Sequence, residues 1–130
     1  MCTNARAETV ATAATFRESF KHRRCLVPAS HYFEWTGQTG AKIMWKFTRA
    51  KRDLICFAGL WDRATTSDGV IESFTIITCA AGPDTSAYHP RQPVILDPEN
   101  WTGWLDLRRD PADLLAPGPA GSIIVERATT

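Results

Sequence analysis

Long apolar runs are missing from this chain. None approaches the roughly 20 residues that cross a bilayer, and the N-terminus lacks the apolar core of a secretory signal. The expectation is therefore a soluble, cytoplasmic protein with no membrane partner. An excess of one charge is missing too. Fifteen Lys and Arg against 14 Asp and Glu leave a net charge of +1, so bulk electrostatics argue neither for nor against nucleic acid. The four cysteines, Cys2, Cys25, Cys56 and Cys79, form no Cys-x-x-Cys pair. His22 and Cys25 make an isolated His-x-x-Cys, too little for a zinc site. No metal and no cofactor are expected. Repeats, linkers and low-complexity tracts are also lacking, and 130 residues suit one domain over residues 1–130.

What is present is a series of short apolar stretches. Residues 1–14 read as an extended segment. Phe16 and Phe20, four apart, predict a short helix with Thr15 as its N-cap. Strands are expected at Cys25–Ala29 (with Pro28 marking an edge or bulge), His31–Trp35, Ile43–Arg49, Leu54–Trp61, Ser73–Cys79, Val94–Leu96 and Ser122–Arg127. Loops are expected at Thr65–Gly69 and Ala80–Ala87. Asp97-Pro98-Glu99 is a helix start with Asp97 as N-cap, and Asp110-Pro111 starts another helix. Strands dominate, so the expected fold class is α+β: a curled, mostly antiparallel sheet or open barrel with short peripheral helices. Cys25, Cys56 and Cys79 sit in apolar runs and read as small buried hydrophobes. The basic residues cluster locally, at Lys21, Arg23 and Arg24, at Lys46, Arg49, Lys51 and Arg52, and at Arg108 with Arg109.

Three residues stand out chemically. Glu34 lies in an apolar strand where alternation puts Phe33 and Trp35 on one face and Tyr32 and Glu34 on the other. A carboxylate so placed is either a candidate general acid/base or a solvent-facing group on an edge strand. Cys2 is the second residue, and its small side chain permits removal of Met1. The mature chain would then begin with a 1,2-aminothiol. Its α-amine, titrating near about 7.7–8.0, can condense with an aldehyde, and the adjacent thiol can close a five-membered thiazolidine. The other reading of Cys2 is a small second residue with no role. His89 lies in an irregular, Pro-flanked segment between two strands, where it either serves proton transfer or is a surface group. A cysteine hydrolase using Cys2 or Cys79 with His89 is a further arrangement these residues allow.

Asn4-Ala5-Arg6-Ala7-Glu8-Thr9 with Phe16-Arg17, Arg23-Arg24-Cys25-Leu26-Val27-Pro28-Ala29, Phe33-Glu34-Trp35, Ala58-Gly59-Leu60-Trp61, the stretch from Glu72 to Thr78, and His89-x-Arg91-x-Pro93-Val94-Ile95-Leu96 follow one another in order. Together they closely resemble the SRAP family of SOS-response-associated proteins. The resemblance runs from Asn4 to about Leu105. It implies capture of abasic sites in single-stranded DNA through a thiazolidine crosslink, with associated lyase and self-cleaving peptidase activities. By this resemblance Cys2 would be the nucleophile, Asn4 would orient lesion and amine, and Glu34 would be the acid/base. His89 would assist proton transfer and crosslink reversal. Arg6 would hold DNA phosphate, with Arg17 and Arg91 as further DNA-binding candidates. The chain also departs from the family pattern. The family carries several dozen residues between its Met-Cys start and its Asn-Ala-Arg motif, whereas Cys2 here is followed at once by Thr3-Asn4. The family's Met before its Pro is Gln92 here. The implication is a shortened sheet whose exposed edges favour association. An inactive scaffold that binds single-stranded DNA weakly, or that has only a structural role, is the alternative function.

Overall fold

The structure, a computed structural model, describes residues 4–129. Two sheets organise it. The first has the order β1 (Asn4–Arg6), β6 (Gly69–Ala80), β5 (Ile55–Thr66), β2 (Arg24–Ala29), with β7 (Arg91–Pro93) also paired to β6. The second has the order β3 (Tyr32–Thr36), β4 (Ile43–Arg49), β8 (Ile123–Arg127). All pairings are antiparallel except β1 with β6, and neither sheet closes on itself. The short helices α1 (Arg17–His22) and α2 (Trp101–Leu105) lie at the periphery. The expected α+β class with a curled, mostly antiparallel sheet holds.

β5 and β6 explain the architecture. They pair from Gly59↔Ile76 out to Thr66↔Gly69, where Ser67 and Asp68 form a two-residue turn and Gly69 takes a positive φ of 112°. The expected loop at Thr65–Gly69 is thus a tight hairpin end. At the other end the two strands splay, and the segment after His89 threads between them. Val94 N–H donates to Ile77 O at 2.8 Å, and Ala58 N–H donates back to Val94 O at 2.9 Å. Leu96 N–H donates to Cys56 O at 2.9 Å. The expected strand at Val94–Leu96 is corrected by this wedge: the regular strand is Arg91–Pro93, and Ile95 contributes an isolated bridge to Phe57. β2 ends the order of the first sheet, as Pro28 required.

The core gathers Ala5, Val10, Phe20, Ala58, Leu60, Ile77, Cys79, Val94, Leu96 and Trp104. Arg24 is buried beside it. Its guanidinium donates to four carbonyls, those of Phe20, Trp104, Asp106 and Arg109, and lies 5.4 Å from the Trp104 ring centroid. Arg49, also buried, pairs with Asp53 at 2.7 Å and Asp97 at 2.6 Å. Two members of the basic clusters are thus internal struts. Asp97 does precede a short 3-10 turn, Pro98–Asn100, but its carboxylate serves Arg49 and makes no cap bond.

Other local expectations are also corrected. After β1 the chain runs through turns, so residues 1–14 are not one extended segment. Those turns deliver α1 with Phe16, not Thr15, at the cap position. Phe16 and Arg17 N–H groups both donate to Ala13 O, which leaves a side-chain cap little to satisfy. The segment after Asp110-Pro111 is a single 3-10 turn, Ala112–Leu114. Beyond the sheet, Val70, Ile71 and Phe74 of the β5–β6 arm remain exposed. No helix among the described residues is long and apolar enough to cross a membrane.

Candidate active site

Where β6 parts from β5, a cleft of about 260 Å³ opens between the two sheets. It is lined by Asn4, Arg6, Glu34, Thr78, His89, Arg91, Gln92 and Pro93. Asn4 and Arg6 come from β1, whose intervening Ala5 faces the core, so strand alternation turns both polar side chains outward. Glu34 reaches in from the second sheet. On β3 its face is shared with Tyr32 and Thr36, which are half-buried, while Phe33 and Trp35 point outward and are exposed. Tyr32 sets this orientation by stacking on Phe47 at 4.7 Å and meeting Phe57 edge-on at 5.8 Å. Glu34 thus lies on the edge strand of the second sheet and faces the cleft.

His89 faces Glu34 across the cleft, with Nε2 3.9 Å from Oε2 and both side chains partly accessible, 40% and 29% exposed. Its Nδ1 meets the backbone of Arg91 twice, 3.1 Å from N–H and 2.9 Å from the carbonyl oxygen. With Nδ1 unprotonated it accepts from Arg91 N–H, and with Nδ1 protonated it donates to Arg91 O. The ring therefore keeps a backbone partner in either state, and Nε2 stays turned toward Glu34. Such an arrangement suits a group that gains and loses a proton without reorienting.

Arg91 behaves differently. It donates two hydrogen bonds to Glu8, at 2.5 and 2.9 Å, and a third to Thr78 O at 3.0 Å. The bond from Arg91 holds the Glu8 carboxyl at a pKa of about 2, against its usual 4.5. Glu8 is a member of the site that reading the sequence missed. Arg6 stays open, its guanidinium 3.9 Å from the same Glu8. Arg17 does not line the cleft: it is an exposed residue of α1. Two buried polar atoms have no partner among the described residues, the Tyr32 hydroxyl and Arg91 Nε. Burial, with Glu34 and Cys79 nearby, pushes the Tyr32 hydroxyl well above its usual pKa.

Cys2 lies outside the described residues. Cys79 is buried, and its burial raises the thiol pKa, as it does for Cys25 and Cys56. A buried thiol held in its neutral form is a poor nucleophile. The hydrolase arrangement based on Cys79 is corrected on that ground. Among the described residues no cluster of His, Cys, Asp or Glu could hold a metal ion.

A sequence profile described as "SOS response associated peptidase (SRAP)" matches residues 1–127. The chain belongs to the SRAP family. It is 35% identical over 114 residues to the Bacillus subtilis abasic site processing protein YobE, covering 86% of this chain and 52% of that protein. It is 31% identical over 102 residues to the Escherichia coli abasic site processing protein YedK, covering 78% of this chain and 46% of that one. A crystal structure of a Bacteroides thetaiotaomicron protein superposes with a TM-score of 0.90 at 30% identity, over 97% of this chain and 58% of that one. This SRAP chain thus spans about half the length of the curated relatives it matches.

Proposed function

We propose that this chain processes abasic sites in single-stranded DNA by forming a covalent thiazolidine crosslink through Cys2, with lyase and self-cleaving activities attached to the same chemistry. The observation that carries this reading is the gathering of Asn4, Arg6, Glu34 and His89 around one cleft.

Hydrolysis of the Met1–Cys2 peptide bond, which consumes one water and releases Met1, frees the amine. The α-amine of Cys2 adds to the aldehyde carbon of the ring-opened sugar. Glu34 protonates the new hydroxyl, which leaves as water and gives the protonated imine. The ionised Glu34 takes the proton of the Cys2 thiol, and the thiolate adds to the carbon of the protonated imine to close the neutral thiazolidine. His89 returns a proton when the ring reopens. Loss of a sugar proton from the imine, with departure of the 3′ phosphate, is the lyase branch. Asn4 orients amine and lesion, and Arg6, which donates no hydrogen bond to a described residue, meets a backbone phosphate. Arg17 lies outside the cleft and would contact DNA only along a longer track. The exposed Val70, Ile71 and Phe74 support self-association as an additional property.

The test is incubation with single-stranded DNA carrying one abasic site, followed by a denaturing gel. A shifted band that vanishes in Cys2→Ala supports the proposal. Binding that ignores the abasic site, with no shifted band, supports the alternative of a scaffold without the chemistry.

A further inference from the structure

Gln92 stands where the family resemblance places Met, and it is buried in the wall of the cleft, 3% exposed. A buried amide is costly unless its polar atoms are used. Here the side-chain oxygen accepts from Thr85 Oγ1 at 2.7 Å and from Gly82 N–H at 2.9 Å. Thr85 is 2% exposed, so its hydroxyl depends on this partner. The same Thr85 accepts the His89 N–H on its carbonyl oxygen at 3.2 Å and the Tyr88 N–H at 2.9 Å. His89 therefore has two anchors. Upstream its backbone hangs from Thr85, and downstream its ring rests on the backbone of Arg91. Gln92 joins them, as the covalent neighbour of Arg91 and the hydrogen-bond partner of Thr85. Tyr88 adds a third tie by packing against Trp45 at 4.9 Å and Phe47 at 5.8 Å.

We propose that Gln92, acting through Thr85, is a positioning residue for His89: the Gln92–Thr85 strut fixes the loop so that Nδ1 meets the Arg91 backbone and Nε2 faces Glu34. The function of this strut rests on the reading of His89 as a proton-transfer group, but its geometry is tested without DNA. Gln92→Met keeps the bulk and removes the acceptor, leaving the Thr85 hydroxyl and Gly82 N–H unpaired. Thr85→Val removes the donor alone, and Thr85→Ser keeps it.

The decisive readout is nitrogen-15 NMR of the histidine rings across pH, with His89→Ala to assign the signals and exposed His22 as the internal reference. Gln92→Met and Thr85→Val should move the His89 ring-nitrogen shifts toward those of His22, and Thr85→Ser should stay with the native protein. Should Gln92→Met fail to fold, the two Thr85 variants decide. If His89 keeps its native ring-nitrogen shifts in the disruptive variants while only the melting temperature falls, the strut is merely structural and the proposal is overturned. In the crosslinking assay, the disruptive variants should slow reversal several-fold. Absence of any crosslink in the native protein would defeat the proposed function, and the NMR result would still decide this one.

Discussion

Arg6 and Arg91 line one cleft and flank one carboxylate, yet their donors are used in opposite ways. Arg91 is 18% exposed and spends its terminal nitrogens on Glu8 and Thr78. Arg6 is 62% exposed and approaches Glu8 only to 3.9 Å. The two glutamates divide in the same manner. Glu8 accepts a bidentate fork, whereas Glu34 accepts no hydrogen bond from any described residue and has the His89 ring 3.9 Å away. The cleft thus has a clamped side, which holds β1 to β6 and β7, and an open side, which presents groups free to react. Residue type alone does not distinguish the two sides; the destination of each donor and acceptor does.

Substitutions should separate the sides. On the open side, Glu34→Gln should slow crosslink formation by about a hundredfold or more, measured as band growth on a denaturing gel, with an unchanged melting temperature. A normal rate would remove Glu34 from the chemistry. His89→Ala should slow reversal about tenfold or more while formation falls less, read by chasing a preformed crosslink with excess unlabelled abasic DNA. Arg6→Ala should weaken binding to single-stranded DNA a few-fold and flatten the dependence of log affinity on log salt by about 0.7, while Arg91→Ala should instead destabilise the fold by about 1 kcal/mol or more. A salt slope that drops equally in both would erase the contrast.

The smallest effect is on acid stability. Because Arg91 lowers the Glu8 pKa from 4.5 to about 2, the clamp contributes its full stability above about pH 4.5 and loses it as pH falls toward 2. Urea unfolding midpoints of Glu8→Gln should accordingly fall less between those two pH values than those of the native protein. Parallel curves would show that the clamp adds nothing.

Much of the site was legible in the sequence, because the quoted motifs carry the cleft residues in order. Asn4, Arg6, Glu34, His89 and Arg91 do converge, although they span 88 positions, from 4 to 91. Alternation placed Glu34 and Tyr32 on one face, but not which face turned inward. That was decided by Tyr32 stacking on Phe47 of another strand, a contact no local pattern encodes. The Arg91–Glu8 fork and the Gln92–Thr85 strut were hidden for the same reason, since they depend on where the chain returns. The sequence showed Arg24 and Arg49 only as members of basic clusters, because carbonyl cages and paired carboxylates leave no mark at the level of composition. The wedge at Val94–Leu96 has β-like composition and still escapes regular pairing, because its bonds divide between β5 and β6.

The most direct test of the central claim is mass spectrometry of the tryptic peptide Cys2–Arg6 after reaction with abasic single-stranded DNA and nuclease trimming. The account predicts a peptide without Met1 that carries the sugar remnant with loss of one water, the balance of a thiazolidine. An adduct on a lysine, or an unmodified Cys2–Arg6 peptide from a crosslinked band, would contradict it.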